Sequence, residues 1–143
     1  MPQEAQRVKT MVNSSRIGDL RADIAQNATI FLALCRARGL NVKITQTLRD
    51  DDYQATLFQK GYAKTPHTTF HGKGLAFDIC KNVRGHEYDD LAFFAQCAEI
   101  GKRMGFTWGG DWKSFPDRPH FQWDDHKKYS GTMVRAGKLP PTM

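Results

Sequence analysis

Two short runs of strict alternation decide most of what this chain can fold into. In Leu75-Ala76-Phe77-Asp78-Ile79, period two sets Leu75, Phe77 and Ile79 on one face of a strand and Ala76 and Asp78 on the other. His120-Phe121-Gln122-Trp123 repeats the pattern, with Phe121 and Trp123 on one side and His120 and Gln122 on the other. An apolar face belongs against a core. Each strand therefore covers a core with one face and projects a carboxylate or an imidazole from the other.

The elements around these strands are mixed. Leu20, Ile24, Ala28, Phe31, Leu34 and Cys35 recur at helical spacing, with Asp19 as expected N-cap and Gly39 as stop. Asn41 to Leu48 is rich in β-branched residues and reads as a strand. Asp50-Asp51-Asp52 opens a short helix closed by Gly61, and Ala63 to Gly74 reads as a loop. Tyr88 to Met104 forms a broad-faced helix, Trp108 to Pro119 a loop, and a last short helix follows Ser130. Without a β-α-β rhythm, α+β is favoured over a doubly wound sheet. At 143 residues the expectation is a single domain over 1–143, with 1–15 a loosely ordered lead-in. That length leaves no room for a separate binding domain of ordinary size.

Charge and cysteine use narrow the setting. Twenty-one Lys and Arg against fifteen Asp and Glu leave a formal charge of +6, which favours a polyanionic partner. The basic residues are scattered, with no Arg-rich helix and no recognised nucleic-acid motif, so a nucleic-acid partner is not expected. Cys35, Cys80 and Cys97 form no CxxC pair and read as reduced thiols. The first sixteen residues hold no apolar run of signal-peptide length, and the run Ile30 to Cys35 is too short to span a bilayer. A monomer without membrane insertion is expected.

Chemistry gathers on the polar faces. His71 stands seven residues before Asp78, across Gly72-Lys73-Gly74, whose glycines let the chain fold back over the strand. His71, Asp78 and His120 supply two imidazoles and one carboxylate, which fits catalytic zinc with a position left open for water. Asp117, three residues before His120, is then the nearby carboxylate that takes a proton from that water. Singly, each residue has a plainer reading: a surface or core histidine, Asp78 capping a loop, Asp117 paired with Arg118 or Lys113. Cys80, on the same strand face as Asp78, reads as a small buried thiol. Trp108, Asp111 and Trp112 either line a substrate groove or, for the two Trp, pack into the core. His67 reads as a solvated loop residue, and His86 and His126 carry no further signal.

Thr69-Phe70-His71-Gly72-Lys73-Gly74-Leu75-Ala76-Phe77-Asp78 resembles the S-x-H-x-x-G-x-A-x-D signature of the zinc D-alanyl-D-alanine peptidase superfamily. Asp117-Arg118-Pro119-His120 is similar to its second motif, an acidic residue with His three positions on. The stretches Met104 to Trp112 and Pro119 to Trp123 resemble the L-alanyl-D-glutamate peptidases, phage endolysins and related cell-wall hydrolases. The likeness runs from about Arg49 to Lys138. It implies the hedgehog/D-Ala-D-Ala peptidase fold, with one zinc above an antiparallel sheet, held by His71, Asp78 and His120. It also implies Asp117 as catalytic base and Arg49 as a residue that holds the substrate or its oxyanion. Two positions depart from the pattern. Thr69 replaces the family's Ser, and the common R-T-x-x-E-Q stretch appears as Arg49-Asp50-Asp51-Asp52-Tyr53-Gln54.

The activity implied is hydrolysis of the peptidoglycan stem at the L-Ala-D-Glu bond. A D-alanyl-D-alanine carboxypeptidase or dipeptidase on the same site is the alternative. A non-catalytic zinc-binding interaction domain is the reading from a different class, and Asp117, which owes the metal no structural duty, speaks against it. The resemblance further implies accumulation in a host cytoplasm and action on the wall after release.

Overall fold

The structure, a computed structural model, describes residues 11–65 and 67–143. In chain order the regular elements are α1 (Ala22–Ala37), β1 (Val42–Gln46), α2 (Asp51–Gln59), β2 (Ala76–Lys81), α3 (Leu91–Arg103), β3 (Thr107–Trp108), β4 (His120–Gln122) and α4 (Gly131–Arg135). Short 3-10 turns occupy Ile17–Asp19, His71–Lys73 and Gly109–Asp111. The strands form one antiparallel sheet in the order β1-β2-β4-β3. This is the expected small α+β architecture.

Alternation does what the pattern demands. Phe77 pairs with Phe121 and Asp78 with His120 across β2 and β4, so the aromatic pair and the chemical pair fall on opposite faces. Phe77 and Phe121 stack with ring centroids 5.6 Å apart, and Phe31 of α1 lies 5.5 and 5.1 Å from them. Phe106 adds an edge contact to Phe77 at 5.2 Å. Helix α1 buries Ile24, Ala28, Phe31, Leu32 and Cys35, and α3 buries Phe93, Phe94, Cys97, Ala98 and Ile100 in the same core. Gly101 lets α3 approach the sheet this closely. A Cβ there would come within 2.7 Å of the Phe121 ring. All three cysteines are free and buried.

Several local expectations change. Asp19 does not cap α1; it sits in the preceding 3-10 turn and bonds Ser14 and Arg16, while the N-cap residue is Arg21. Helix α3 begins at Leu91 rather than Tyr88, because the Asp90 carboxylate accepts from the Phe93 N–H at 3.0 Å and caps the first turn there. The expected loop after Trp108 has a two-residue strand, β3, at its start, too short for alternation to reveal.

The lead-in needs correction at its end. Residues 1–10 lie outside the described residues, but residues 12–14 run antiparallel beside 47–50. The Ser14 N–H donates to the Leu48 carbonyl at 2.9 Å, the Thr47 N–H to the Ser14 carbonyl at 2.7 Å, and the Val12 N–H to the Asp50 carboxylate at 2.8 Å. Backbone pairing does not depend on side-chain type, so the polarity of this stretch did not disclose it.

Candidate active site

Asp78 and His120 are neighbours because β2 and β4 pair in the register that sets them opposite one another. His71 arrives from outside the sheet, on the 3-10 turn His71–Lys73, which Gly74 ends at a φ of 68°. From there His71 Nε2 lies 3.3 Å from Asp78 Oδ1, and His120 Nδ1 lies 3.1 Å from the same oxygen. The three ligand atoms fall within 4.8 Å of one another. Both imidazoles are almost fully buried, whereas Asp78 keeps some exposure toward the cleft.

The hydrogen bonds around the histidines test whether a metal fits. His71 Nδ1 donates to the Thr47 carbonyl at 2.7 Å, since a carbonyl oxygen can only accept. Neutral His71 therefore carries no proton on Nε2, and this buried atom has no hydrogen-bond partner. A bare nitrogen aimed at a carboxylate oxygen calls for a cation between them, and a borderline-soft ion such as zinc suits two imidazoles and a carboxylate. The group fits.

Charge in the cluster is strongly redistributed. Burial alone would raise the Asp78 pKa, but the two imidazoles beside it, His120 above all, overcome it and hold the carboxyl well below the usual carboxylate range. Burial alone would lower His120, yet the Asp78 carboxylate outweighs it and raises the imidazole above its ordinary value. Asp117 moves the other way from Asp78. Although Asp117 is exposed to the cleft, the protein packed around it displaces enough water to push its carboxyl up, more than His120, His71 and Arg49 draw it down.

Asp117 is placed by backbone. Its N–H donates to the Gly109 carbonyl at 2.9 Å, and its own carbonyl accepts from the His120 N–H at 3.1 Å. A side chain at Gly109 would press a Cβ to 2.4 Å from the Asp117 carbonyl oxygen, so this close approach requires glycine. Asp117 thus faces the same cleft as the His-Asp-His cluster.

That cleft, about 500 Å³, is also lined by Arg49, Gln54, Thr69 and Trp112. Arg49 donates from Nη1 to Gln46 at 2.8 Å, while its buried Nε has no partner. Thr69 accepts from Arg135 at 3.1 Å, and Trp112 packs 5.3 Å from the His120 ring. The structure brings together His71, Asp78, His120, Asp117, Arg49, Thr69 and Trp112.

Trp108 and Asp111 lie elsewhere, a correction to the expected groove. Trp108 donates its indole N–H to the Arg118 carbonyl at 2.7 Å, and Asp111 pairs with Lys102 of α3 at 2.8 Å. These bonds turn both side chains into a neighbouring pocket of about 280 Å³, which shares only Trp112 with the cleft. His67, expected to be solvated, is exposed but lines the cleft.

The sequence reading missed Gln54, Gln122 and Asp124. Gln54 is buried and donates to the Thr65 carbonyl at 3.0 Å, with its Oε1 unpartnered. Gln122 Oε1 lies 2.9 Å from His120 Nε2, and Gln122 Nε2 donates to Asp124 at 3.0 Å. The signal was present for two of them: 120, 122 and 124 continue one period-two row.

Known proteins resemble this chain in sequence and in fold. The family model described as D-alanyl-D-alanine carboxypeptidase matches residues 63–123, which contain the whole cluster and Asp117. The peptidoglycan L-alanyl-D-glutamate endopeptidase CwlK of Bacillus subtilis is 31% identical over 122 residues, 73% of this chain and 73% of the relative. The L-alanyl-D-glutamate peptidase of a Listeria phage is 28% identical over 120 residues, 81% of this chain. This chain spans 41% of that longer protein. Among solved structures, the Serratia marcescens L-Ala D-Glu endopeptidase ChiX shares the fold at a TM-score of 0.63 and 22% identity, over 80% of this chain and 87% of its own. The LdcB LD-carboxypeptidase shares it at 0.57 and 18%, over 84% and 65%.

Proposed function

The chain belongs to the zinc D-alanyl-D-alanine peptidase family, beside its L-alanyl-D-glutamate peptidases, and from that premise we propose that it is a zinc endopeptidase cutting the L-Ala-D-Glu bond of the bacterial peptidoglycan stem. One observation carries the reading: His71 Nε2, Asp78 Oδ1 and His120 Nδ1 converge in a cleft that also holds Asp117 and Arg49. One zinc per chain, held by those three residues, would supply an acidified water and a Lewis acid for the scissile carbonyl.

The chain's own residues do the rest. Asp117 accepts the proton of the attacking water at its carboxylate and returns it to the leaving amine. Its raised pKa suits that exchange, since a base far below the working pH holds a proton poorly. Arg49, whose guanidinium lines the cleft, offers positive charge to the carbonyl oxygen as negative charge develops. Trp112 gives the stem a flat wall, and Thr69, steadied by Arg135, adds a hydroxyl at the rim. The +6 charge holds the enzyme against an anionic wall.

Digesting intact peptidoglycan and identifying the new termini tests the assignment. New amino-terminal D-Glu supports it. Release of terminal D-Ala alone refutes it in favour of a D-alanyl-D-alanine carboxypeptidase, the reading favoured by the description of the matched family model. Such an enzyme must recognise a free terminal carboxylate, whereas an endopeptidase accepts chain on both sides of the bond. Action on the wall follows release from a host cytoplasm as a monomer in this reading. Among the described residues no helix is long and apolar enough to cross a membrane.

A further inference from the structure

Gln122 and Asp124 are polar residues buried where an apolar pair would pack with less cost. They are 7% and 3% exposed, and neither belongs to the ligand cluster, although Gln122 borders the cleft. Their hydrogen bonds have a direction, and it can be read from Asp124 inward. Asp124 Oδ1 accepts from the Lys127 backbone N–H at 2.9 Å and from the Thr107 hydroxyl at 2.7 Å. The backbone donor cannot reverse, so this oxygen must accept. The second oxygen, Oδ2, takes the Gln122 amide NH2 at 3.0 Å. An ionised carboxylate offers acceptors alone, so the amide is oriented with its NH2 toward Asp124 and its carbonyl Oε1 toward His120.

That carbonyl sits 2.9 Å from His120 Nε2. Two acceptors therefore flank the ring, this carbonyl at Nε2 and the Asp78 carboxylate at Nδ1, and a proton drawn to the carbonyl leaves Nδ1 bare. Nδ1 is the atom 3.1 Å from Asp78 Oδ1. We propose that Asp124 and Gln122 are positioning residues that set the tautomer of His120, so that its Nδ1 is presented to the metal; the inference rests on the zinc reading of the cluster.

His71 shows why such a relay is needed. There the Thr47 backbone carbonyl fixes the proton on Nδ1 and leaves Nε2 for the metal. The two histidines therefore present opposite ring nitrogens. For His71 the choice is made by the backbone, which no substitution of a partner side chain removes. For His120 it is made by side chains, Gln122 and then Asp124, and is open to mutation. Outer hydrogen-bond partners of metal-bound histidines typically contribute about 10- to 100-fold in metal affinity.

The test combines zinc affinity, by competition with a chromophoric chelator, with nitrogen-15 spectra of the histidine rings in metal-free protein at a pH where His120 is neutral. The unaltered chain should show the His120 proton on Nε2 and the His71 proton on Nδ1. Asp124→Asn introduces an NH2 that conflicts with either the Lys127 N–H or the Gln122 NH2. When Gln122 turns over to relieve it, its NH2 faces His120 and the proton moves to Nδ1. Zinc affinity should then fall about 10- to 100-fold, with His71 unchanged. Gln122→Met removes the acceptor and should give mixed tautomers with a loss of similar size.

The double variant Gln122→Glu/Asp124→Asn is the decisive arm. It exchanges carboxylate and amide between the two positions. The new carboxylate accepts both from His120 Nε2–H and from the new amide, whose oxygen still serves Thr107 and Lys127. The tautomer and most of the zinc affinity lost in Asp124→Asn should return. A purely structural network predicts altered melting temperatures with the tautomer and affinity unmoved, and that result overturns the proposal. A His120 proton found on Nδ1 in the unaltered chain overturns it too, even if Asp124→Asn fails to fold. If the unaltered, folded chain binds no zinc, the metal reading falls and takes the relay with it. Zinc bound normally by all variants removes the relay alone.

Discussion

The two faces of β2 and β4 come from alternate residues of the same short segments, yet they are held by opposite means. On one face Phe77 and Phe121 are stacked under Phe31, with Gly101 admitting the helix above. On the other, Asp78, His120 and Gln122 sit in a chain of directed hydrogen bonds that ends at Asp124. The apolar face needs shape and volume; its contacts are individually weak and collectively stabilising. The polar face needs direction, because a buried donor or acceptor facing the wrong partner costs more than a lost contact. Mutations on one face should therefore report on stability, and mutations near the other on metal and rate.

The largest expected separation comes from Asp117→Asn, which keeps size and removes basicity. Cleavage of the L-Ala-D-Glu bond should fall about 100- to 10,000-fold, with zinc content and melting temperature preserved. Turnover near normal at full zinc content would break the assignment, and loss of zinc would make Asp117 a ligand.

Phe121→Ala makes the opposite forecast. Removing a ring that stacks on Phe77 and Phe31 should cost about 3–5 kcal/mol of stability by denaturant unfolding. The fraction that remains folded should still bind zinc, because His120 projects from the other face. A variant that stays fully stable but loses zinc would show that the faces are not separable.

Gly101→Ala should be milder, about 1–3 kcal/mol, since its methyl would have to displace the Phe121 ring or shift α3. Unchanged stability would mean that α3 stands off the sheet further than 2.7 Å implies.

The smallest effect is a pH dependence on the polar face. Metal-free His120 has a folded pKa raised above its unfolded value of about 6.5. It stabilises the metal-free chain fully below that pH, and the contribution fades as pH rises through the raised folded value. Asp78, depressed, stabilises above the ordinary carboxylate range and loses this only in strong acid, so it is silent here. Zinc requires unprotonated imidazoles, so its stabilisation grows as pH rises. The gap in melting temperature between zinc-loaded and chelated protein should widen between pH 6 and 8. A gap that narrows would contradict the assigned ligands.

Much of this was legible in the chain. Strict alternation placed Asp78 and His120 opposite the core on two strands, and the motifs around His71 and Asp117 joined them to a family. Residues that act by side-chain type at fixed local spacing leave such a record. Trp108 and Asp111 left a misleading one: the sequence put them beside Trp112, but bonds to the Arg118 carbonyl and to Lys102 turn them out of the cleft. Arg49 lay in a departing motif, yet it reaches the cleft, while the altered neighbours Asp50 and Asp51 cap α2 and hold Thr68.

By itself the sequence determined the periodicities and which residue types stood on which face of each strand, because these depend on neighbours a few positions away. Only the tertiary structure decided that β2 and β4 pair with Asp78 opposite His120, and that the turn at His71–Lys73 returns over them. It also decided which ring nitrogen each histidine presents, since the acceptors that choose are the Thr47 carbonyl and the Gln122 amide oxygen. A carbonyl oxygen occurs at every residue and carries no mark in the sequence. Its influence appears only once the chain has closed around it.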